Sequence, residues 1–320
     1  MTSFSASDVA LSGFRFIRSQ PRTVAIWAGV NLVFQLVYGL IFVTLAGGKL
    51  AEINTFVETN RIDPGAAWAM LPSLSFVFLI ALLANLVLLA VMMSAACRAR
   101  MRPEEVSPGY LRFGADEARM AGLILMWIAL VLGYSFLVLF VVTLATAMGG
   151  LLPGVLRAIY VLLVAVGGLA AVFYPWVRLS LSLPMTFADR HIHLFDSWKL
   201  TKGRFWPLFG TYVLWAILTL VLSLVVFIVV LFVLSAARLS SGGALPPVTD
   251  LLTADKSSLA SFLRLSTLVA DALGAAFSAA LLAICVGPFV EAYQVLMAQK
   301  AEAEAGSLAT AVPATAEPTA

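Results

Sequence analysis

The sequence predicts an all-α protein, a polytopic membrane bundle of six transmembrane helices. It further predicts three pseudo-repeats, each an interfacial amphipathic helix followed by a transmembrane hairpin. Three observations carry this. Of 320 residues, 62% are hydrophobic and only 12% are charged, whereas soluble domains carry about 45–50% apolar and about 25% charged residues. Six apolar runs are each long enough to cross a bilayer, which takes about 20 residues of helix. Most Lys and Arg residues fall in alternate connections between those runs. A soluble fold needs a polar exterior that this composition does not supply, which excludes an ordinary soluble enzyme, a disordered chain and a secreted disulfide scaffold. The net charge of +3 gives no argument for nucleic acid as a partner.

The runs lie at about 24–46, 74–97, 120–147, 153–177, 206–234 and 267–290. They are continuously apolar, unlike barrel strands, which alternate over about ten residues. Val225–Val233 is rich in β-branched and aromatic residues but lies inside a longer Leu-rich run. The first run exceeds the roughly 7–15 apolar residues of a signal-peptide core, so it is expected to stay in the mature protein. Residues 1–300 thus form the membrane domain. The stretch 301–320, rich in Ala, Thr, Glu and Pro, is expected to be a disordered tail.

Fourteen of the 20 Lys and Arg residues fall on one side of the six spans, from Arg15, Arg18 and Arg22 to Lys300. Lys49, Arg61, Arg157, Arg238, Lys256 and Arg264 fall on the other. The positive-inside rule then places both termini in the cytoplasm. The basic rim also suits anionic lipid headgroups.

Three segments before the odd-numbered spans share a pattern. Gly13-Phe14-Arg15-Phe16-Ile17-Arg18-Ser19, Gly109-Tyr110-Leu111-Arg112-Phe113-Gly114-Ala115 and Ser197-Trp198-Lys199-Leu200-Thr201-Lys202-Gly203 each set an aromatic anchor before basic residues and a small residue. Aromatic, apolar and basic residues mixed in this way suit an interfacial helix. Asp8, Ser107 with Pro108, and Asp196 or Ser197 are the expected helix starts. The returning spans match too: Pro175-Trp176-Val177-Arg178 and Pro288-Phe289-Val290-Glu291 both read Pro, aromatic, Val, charge. Span two ends Cys97-Arg98 without that proline. All copies run the same way, a parallel repeat about an axis along the membrane normal.

The stretch from Arg178 through Pro184 to Asp189, followed by Ser197-Trp198, Thr201-Lys202-Gly203 and Phe205-Trp206, resembles a bacterial family of six-helix membrane proteins. That family is akin to the membrane domain of some glycerophosphoryl diester phosphodiesterases. Tyr293, after Pro288, also resembles its ending. The resemblance implies a multi-pass protein of the bacterial cytoplasmic (inner) membrane. It carries over no reaction, because no polar stretch here is long enough to hold the soluble phosphodiesterase domain.

Arg178 and Glu291 stand at matching positions and are candidates for an ion pair at the cytoplasmic face, or, with Trp198 and Lys202, for headgroup contacts. Pro175 and Pro288 are candidate helix kinks, since proline removes a helix hydrogen bond. Asp271 is expected to reach water at the outer end of span six, and Arg157 to snorkel outward. Asn31, Gln35 and Asn85 are expected to hydrogen-bond between helices. Small residues from Ala272 to Ala280 place span six against other helices, and Gly167-Gly168 marks a close contact or bend. Cys97 and Cys285 read as buried small residues. His191 and His193 read as loop histidines near headgroups rather than metal ligands. No G-x-S-x-G, phosphate-binding glycine loop or H-E-x-x-H occurs, so no catalytic, cofactor-binding or metal site is expected. The expected function is that of a scaffold, partner subunit or envelope-homeostasis factor, with membrane lipid and a protein partner or second copy as partners. The alternative is a carrier of lipid or a small solute through a cytoplasm-facing or lipid-facing cavity.

Overall fold

Each of the six apolar runs becomes one long helix, because a backbone in hydrocarbon must satisfy its own N–H and C=O groups. The computed structural model describes residues 5–58, 64–105, 107–242 and 258–311, without the side chains of 49–58, 64–71, 73, 74 and 306–311. It is 87% helical, with no strand among the described residues. Helices α1 (Ala6–Ala10), α2 (Ser12–Ser19), α3 (Pro21–Glu58) and α4 (Pro64–Met101) come first. After a 3₁₀ turn at Pro108–Tyr110 come α5 (Ala115–Gly149), α6 (Gly154–Leu179), α7 (Ser182–Asp189) and α8 (Asp196–Leu200). Then follow α9 (Phe205–Ser240), α10 (Leu259–Phe262) and α11 (Leu265–Ala311). Helices α3, α4, α5, α6 with α7, α9 and α11 contain the six stretches long and apolar enough to span a membrane. Arg61 and Lys256 lie outside the described residues, as does the side chain of Lys49.

Ser107 with Pro108 opens the 3₁₀ turn as expected, and the other two helix starts differ. Ser5, not Asp8, caps α1: its Oγ accepts from the Asp8 N–H at 3.4 Å. Asp8 sits inside the first turn, where a carboxylate suits the helix dipole. Phe195 occupies the cap position of α8, with Asp196 in its first turn. The second aromatic-basic segment is not an amphipathic helix. Gly109 and Tyr110 take left-handed φ values of 62° and 58°, and residues 111–114 are non-helical. The tail also departs from expectation: α11 runs on to Ala311. Ala and Glu favour helix, and Lys300 and Glu304, four residues apart, pair at 3.8 Å. Residues 312–320 lie outside the description.

The chain forms two compact units. One comprises 13–121 and 216–286. Within it, α3 and α4 pack through Ala46, Val77 and the Phe42–Phe78 edge contact. Helix α2 lies on α11, where a Cβ added to Gly13 would meet the Ile284 Cα at 2.5 Å. Phe16, on that buried side of α2, stacks on Trp27, while Arg15 and Arg18 are exposed. Asn31 and Asn85 do not bridge helices. Their Nδ2 groups donate to the Trp27 and Ala81 carbonyls one turn back in their own helices, since an intrahelical acceptor is always within reach. Gln35 is half-buried beside Gly274 of α11. Asp271, expected in water, is buried.

The other unit comprises 1–12, 122–215 and 287–320. Its α5–α6 hairpin is closed by the Tyr134 hydroxyl, which donates to the Ala171 carbonyl at 2.8 Å. Gly168 is a close contact, as expected: a Cβ there would lie 2.9 Å from Val142. The most apolar stretch of α11 is 44% buried, against 0% for those of α5, α6 and α9. Ala275, Ala279 and Ala283, four residues apart, form its buried stripe. Pro175 and Pro288 lie inside α6 and α11, which continue through them.

Candidate functional site

The unit holding residues 122–215 brings two of the expected site residues, Arg178 and Trp198, into contact. Helix α6 ends at Leu179, which places Arg178 in its last turn, where a cation suits the helix dipole. The Ser197 Oγ donates to the Arg178 carbonyl at 2.6 Å and the Thr201 Oγ1 at 3.2 Å. These bonds cap the helix end and seat the α8 turn on it. Trp198, carried by that turn, then lies against the Arg178 guanidinium at 5.1 Å, and Tyr174, one turn earlier in α6, at 5.6 Å. The two rings meet edge to face. Cation–π contacts of this kind offset part of the cost of a desolvated guanidinium.

Arg178 is 92% buried on this count, being 8% exposed. Its Nη1 reaches the Thr201 hydroxyl at 3.4 Å, and its Nε has no hydrogen-bond partner. The expected ion pair with Glu291 is not formed among the described residues. Aromatic side chains fill the space instead. Trp176 packs on Tyr212 and Phe289, and Phe289 on Trp215. Thus the two matching aromatic residues of the Pro-aromatic-Val-charge motifs touch, and the two matching valines are both buried, whereas the charges stay apart. Glu291 is half-buried.

Two voids flank this cluster. One, of about 320 Å³, is walled by Trp127, Tyr134, Ser135, Tyr174, Leu179, Phe195 and Trp198 among others. The other is a polar cleft of about 530 Å³ lined by Asp189, Asp196, Lys199, Lys202, Arg204, Tyr293, Gln299 and Lys300 among others. Arg204 donates to Gln299 across it, and Lys199 pairs with Asp196 at 2.9 Å. Lys202, expected at a headgroup contact, lines this cleft rather than the Arg178 cluster.

His193 is tied to the same turn. Its Nδ1 lies 2.8 Å from Asp196 and its Nε2 3.5 Å from Asp189. His191 is exposed, with Nδ1 3.0 Å from the Asp189 carbonyl. Hydrogen bonds from His193 first, and then from Lys199, hold the Asp196 carboxyl below its ordinary value. A depressed carboxyl stabilises the fold above the unfolded-state pKa of about 3.9. That contribution is lost as pH falls through the lower folded-state value. A carbon-13 titration of Asp196 should therefore show a midpoint below that of an unstructured peptide. His193→Ala should raise it most, and an unchanged midpoint in that variant would remove the histidine from the account.

The unit holding residues 13–121 contains a second charged cluster, whose arginines stand in the sequence only as part of the basic rim. Arg98, at the end of span two, is 2% exposed. Its Nη2 lies 2.6 Å from Glu117, its Nε 3.4 Å from Glu105, and its Nη1 donates to the Tyr110 carbonyl at 2.7 Å. Asp116 takes Arg102 at 3.1 Å and Arg119 at 2.8 Å, and Glu105 takes Arg112 at 3.1 Å. The Trp27 Nε1–H donates to the Gly109 carbonyl at 2.7 Å. Side chains from α3 and α4 thus hold two consecutive left-handed residues. The available signal was the spacing of Glu105, Asp116 and Glu117 around an arginine at a span end. Sequence alone could not tell this arrangement from solvated loop charge. Of the cysteines, Cys97 is buried and Cys285 is half-buried, and both are free thiols. Arg157 is exposed.

No family model, no curated protein and no solved structure matches this chain.

Proposed function

We propose that this is a non-catalytic multi-pass protein of the bacterial inner membrane with both termini in the cytoplasm. It works as a scaffold, partner subunit or envelope-homeostasis factor, and its basic rim engages anionic lipid. The observation that supports this best is the character of the voids. Those of about 470 and 320 Å³ among the helices are walled almost wholly by apolar side chains, while the polar cleft is lined by α7, α8, the turn after it and the Tyr293–Ala303 stretch of α11. A polar solute would need hydrogen-bonding groups along its path, and Asn31 and Asn85 are turned back on their own helices. The matching of Arg178, Pro184, Ser197-Trp198 and Thr201-Lys202-Gly203 to the phosphodiesterase-associated membrane family is proposed on the same footing.

The triple repeat belongs to this proposal. Its support is a shared contact: Arg98 reaches the next aromatic anchor through the Tyr110 carbonyl, and Arg178 reaches the next through the Trp198 ring.

The second reading, a lipid carrier, is favoured by one observation. An apolar groove of about 820 Å³ runs between α3 and α4, from Val37 to Phe113. The two readings separate experimentally. Purification in mild detergent followed by mass spectrometry should recover a stoichiometric protein partner or a second copy, together with anionic lipid. Vesicles reconstituted with the protein should show no flux of labelled phospholipid or small solute above empty vesicles. Protein-dependent flux would replace the scaffold reading with the carrier.

A further inference from the structure

Arg178 presents a problem of charge. It is only 8% exposed, at the end of a helix apolar enough to span a membrane. Burying a charge without a counter-ion is costly, and such residues in membrane proteins face partners or mark ligand paths. Arg178 has no carboxylate partner among the described residues. Its protein ligands are one hydroxyl and two aromatic faces, and its Nε is unsatisfied. The contrast with Arg98, which has Glu117 at 2.6 Å and Glu105 at 3.4 Å, is instructive. The same residue type at a span end is neutralised there by the chain itself.

The surroundings of Arg178 say what could neutralise it. The two rings against which it lies, Tyr174 and Trp198, are both walls of the 320 Å³ void. Pro175, one turn before Arg178 on α6, and Leu179, the residue after it, line the same void, so the guanidinium lies behind the Tyr174 and Trp198 rings that wall it. The void's volume is at the lower end of the roughly 300–1,000 Å³ typical of ligand sites. Apart from Ser135 and the Tyr134 hydroxyl, its named walls are apolar or aromatic, which suits a hydrocarbon chain and not a polar metabolite. A guanidinium pairs well with a phosphodiester, through charge-assisted hydrogen bonds.

We infer that this void and Arg178 form a site for one anionic phospholipid, with the phosphodiester at the guanidinium and an acyl chain against Trp127, Tyr134 and Phe195. This rests on the proposed engagement of anionic lipid and narrows it from a diffuse rim to one pocket.

The test is the thermal unfolding midpoint of the full-length protein in neutral detergent, with added phosphatidylglycerol, phosphatidylcholine or inorganic phosphate. Phosphatidylglycerol should raise the midpoint more than phosphatidylcholine, whose choline cation offsets the same phosphodiester charge, and inorganic phosphate should not raise it. Ser135 is exposed on the void wall, so Ser135→Trp should fill the void and lose the phosphatidylglycerol increment, read against that variant's own lipid-free midpoint. Arg178→Gln should lose it too, and Ser135→Trp keeps the test open if that variant does not fold. An increment equal in wild type and Ser135→Trp would overturn the pocket while leaving rim binding of anionic lipid intact. An equal response to phosphatidylcholine would overturn the selectivity for an anionic lipid, and an equal response to inorganic phosphate would make this a free-anion site. No response to phosphatidylglycerol would overturn the site, whereas the scaffold reading would still be decided by the co-purification and flux measurements.

Discussion

Replacing Arg98 with Met should destabilise the protein by about 3–5 kcal/mol, because removing one partner of a buried ion pair strands the other. The stranded group is Glu117, itself buried at 6% exposure. Arg98 is the only partner the structure shows for its carboxylate among the described residues. Asp116 retains Arg102 and Arg119, and Glu105 retains Arg112 and Arg102. The loss should therefore be concentrated in one carboxylate. Adding Glu117→Leu to Arg98→Met should recover much of the stability, since an apolar pair of similar shape needs no desolvation. The comparison is made by denaturant unfolding in micelles, with the single variants closing a double-mutant cycle. A cost below about 1 kcal/mol for Arg98→Met would show that this cluster behaves like an exposed ion pair. The Arg98 side chain also holds the Tyr110 carbonyl, so the variant should expose the turn at Ser107–Leu111 to proteolysis.

The second large effect concerns Gly13. A Cβ at this position would sit 2.5 Å from the Ile284 Cα and 2.8 Å from the carbonyl oxygens of Ala283 and Ile284. All three atoms are backbone, so no rotamer change can relieve the clash, and α2 must move off α11. Gly13→Ala is expected to cost toward the upper end of the roughly 1–3 kcal/mol usual for overpacking. Movement of α2 would also loosen the Phe16–Trp27 stack, the Arg100 guanidinium over Phe16 at 4.6 Å, and the Arg100 bond to the Ala283 carbonyl at 3.3 Å. Gly29 is the control, because a Cβ there meets nothing within 4 Å. Gly29→Ala should be neutral or stabilising by up to about 1 kcal/mol through helix propensity. Equal effects of the two substitutions on unfolding would refute the close approach of α2 to α11.

Both effects depend on contacts between segments far apart in sequence, and this marks where sequence reading stops. Gly13 is one of 22 glycines, and the aromatic-basic segment it opens does not say what its Cα packs against. Asn31, Asn85 and Asp271 depart from expectation for a related reason. A polar residue in an apolar run has several ways to be satisfied, and the choice depends on which helix lies beside it. The Arg178 site was partly legible. Arg178 and Trp198 stood out through residue type and position, but their meeting requires the turn from α7 to α8 to fold back on the end of α6.

The sequence by itself determined the solvent and the elements. Hydrocarbon leaves the backbone no outside hydrogen-bond partner, so an apolar run of span length must be a helix, even where β-branched residues crowd, as at Val225–Val233. Tertiary structure alone decided which charges are neutralised inside the chain. Coulomb attraction depends on distance in space and on the local dielectric, and desolvation on what covers a group, so neither can be read from spacing along a chain. Arg98 and Arg178 end two similar spans, yet one is enclosed by carboxylates and the other by aromatic rings. That difference arises from how the following segments fold back, a 3₁₀ turn with acidic neighbours in one case and a helical turn bearing Trp198 in the other.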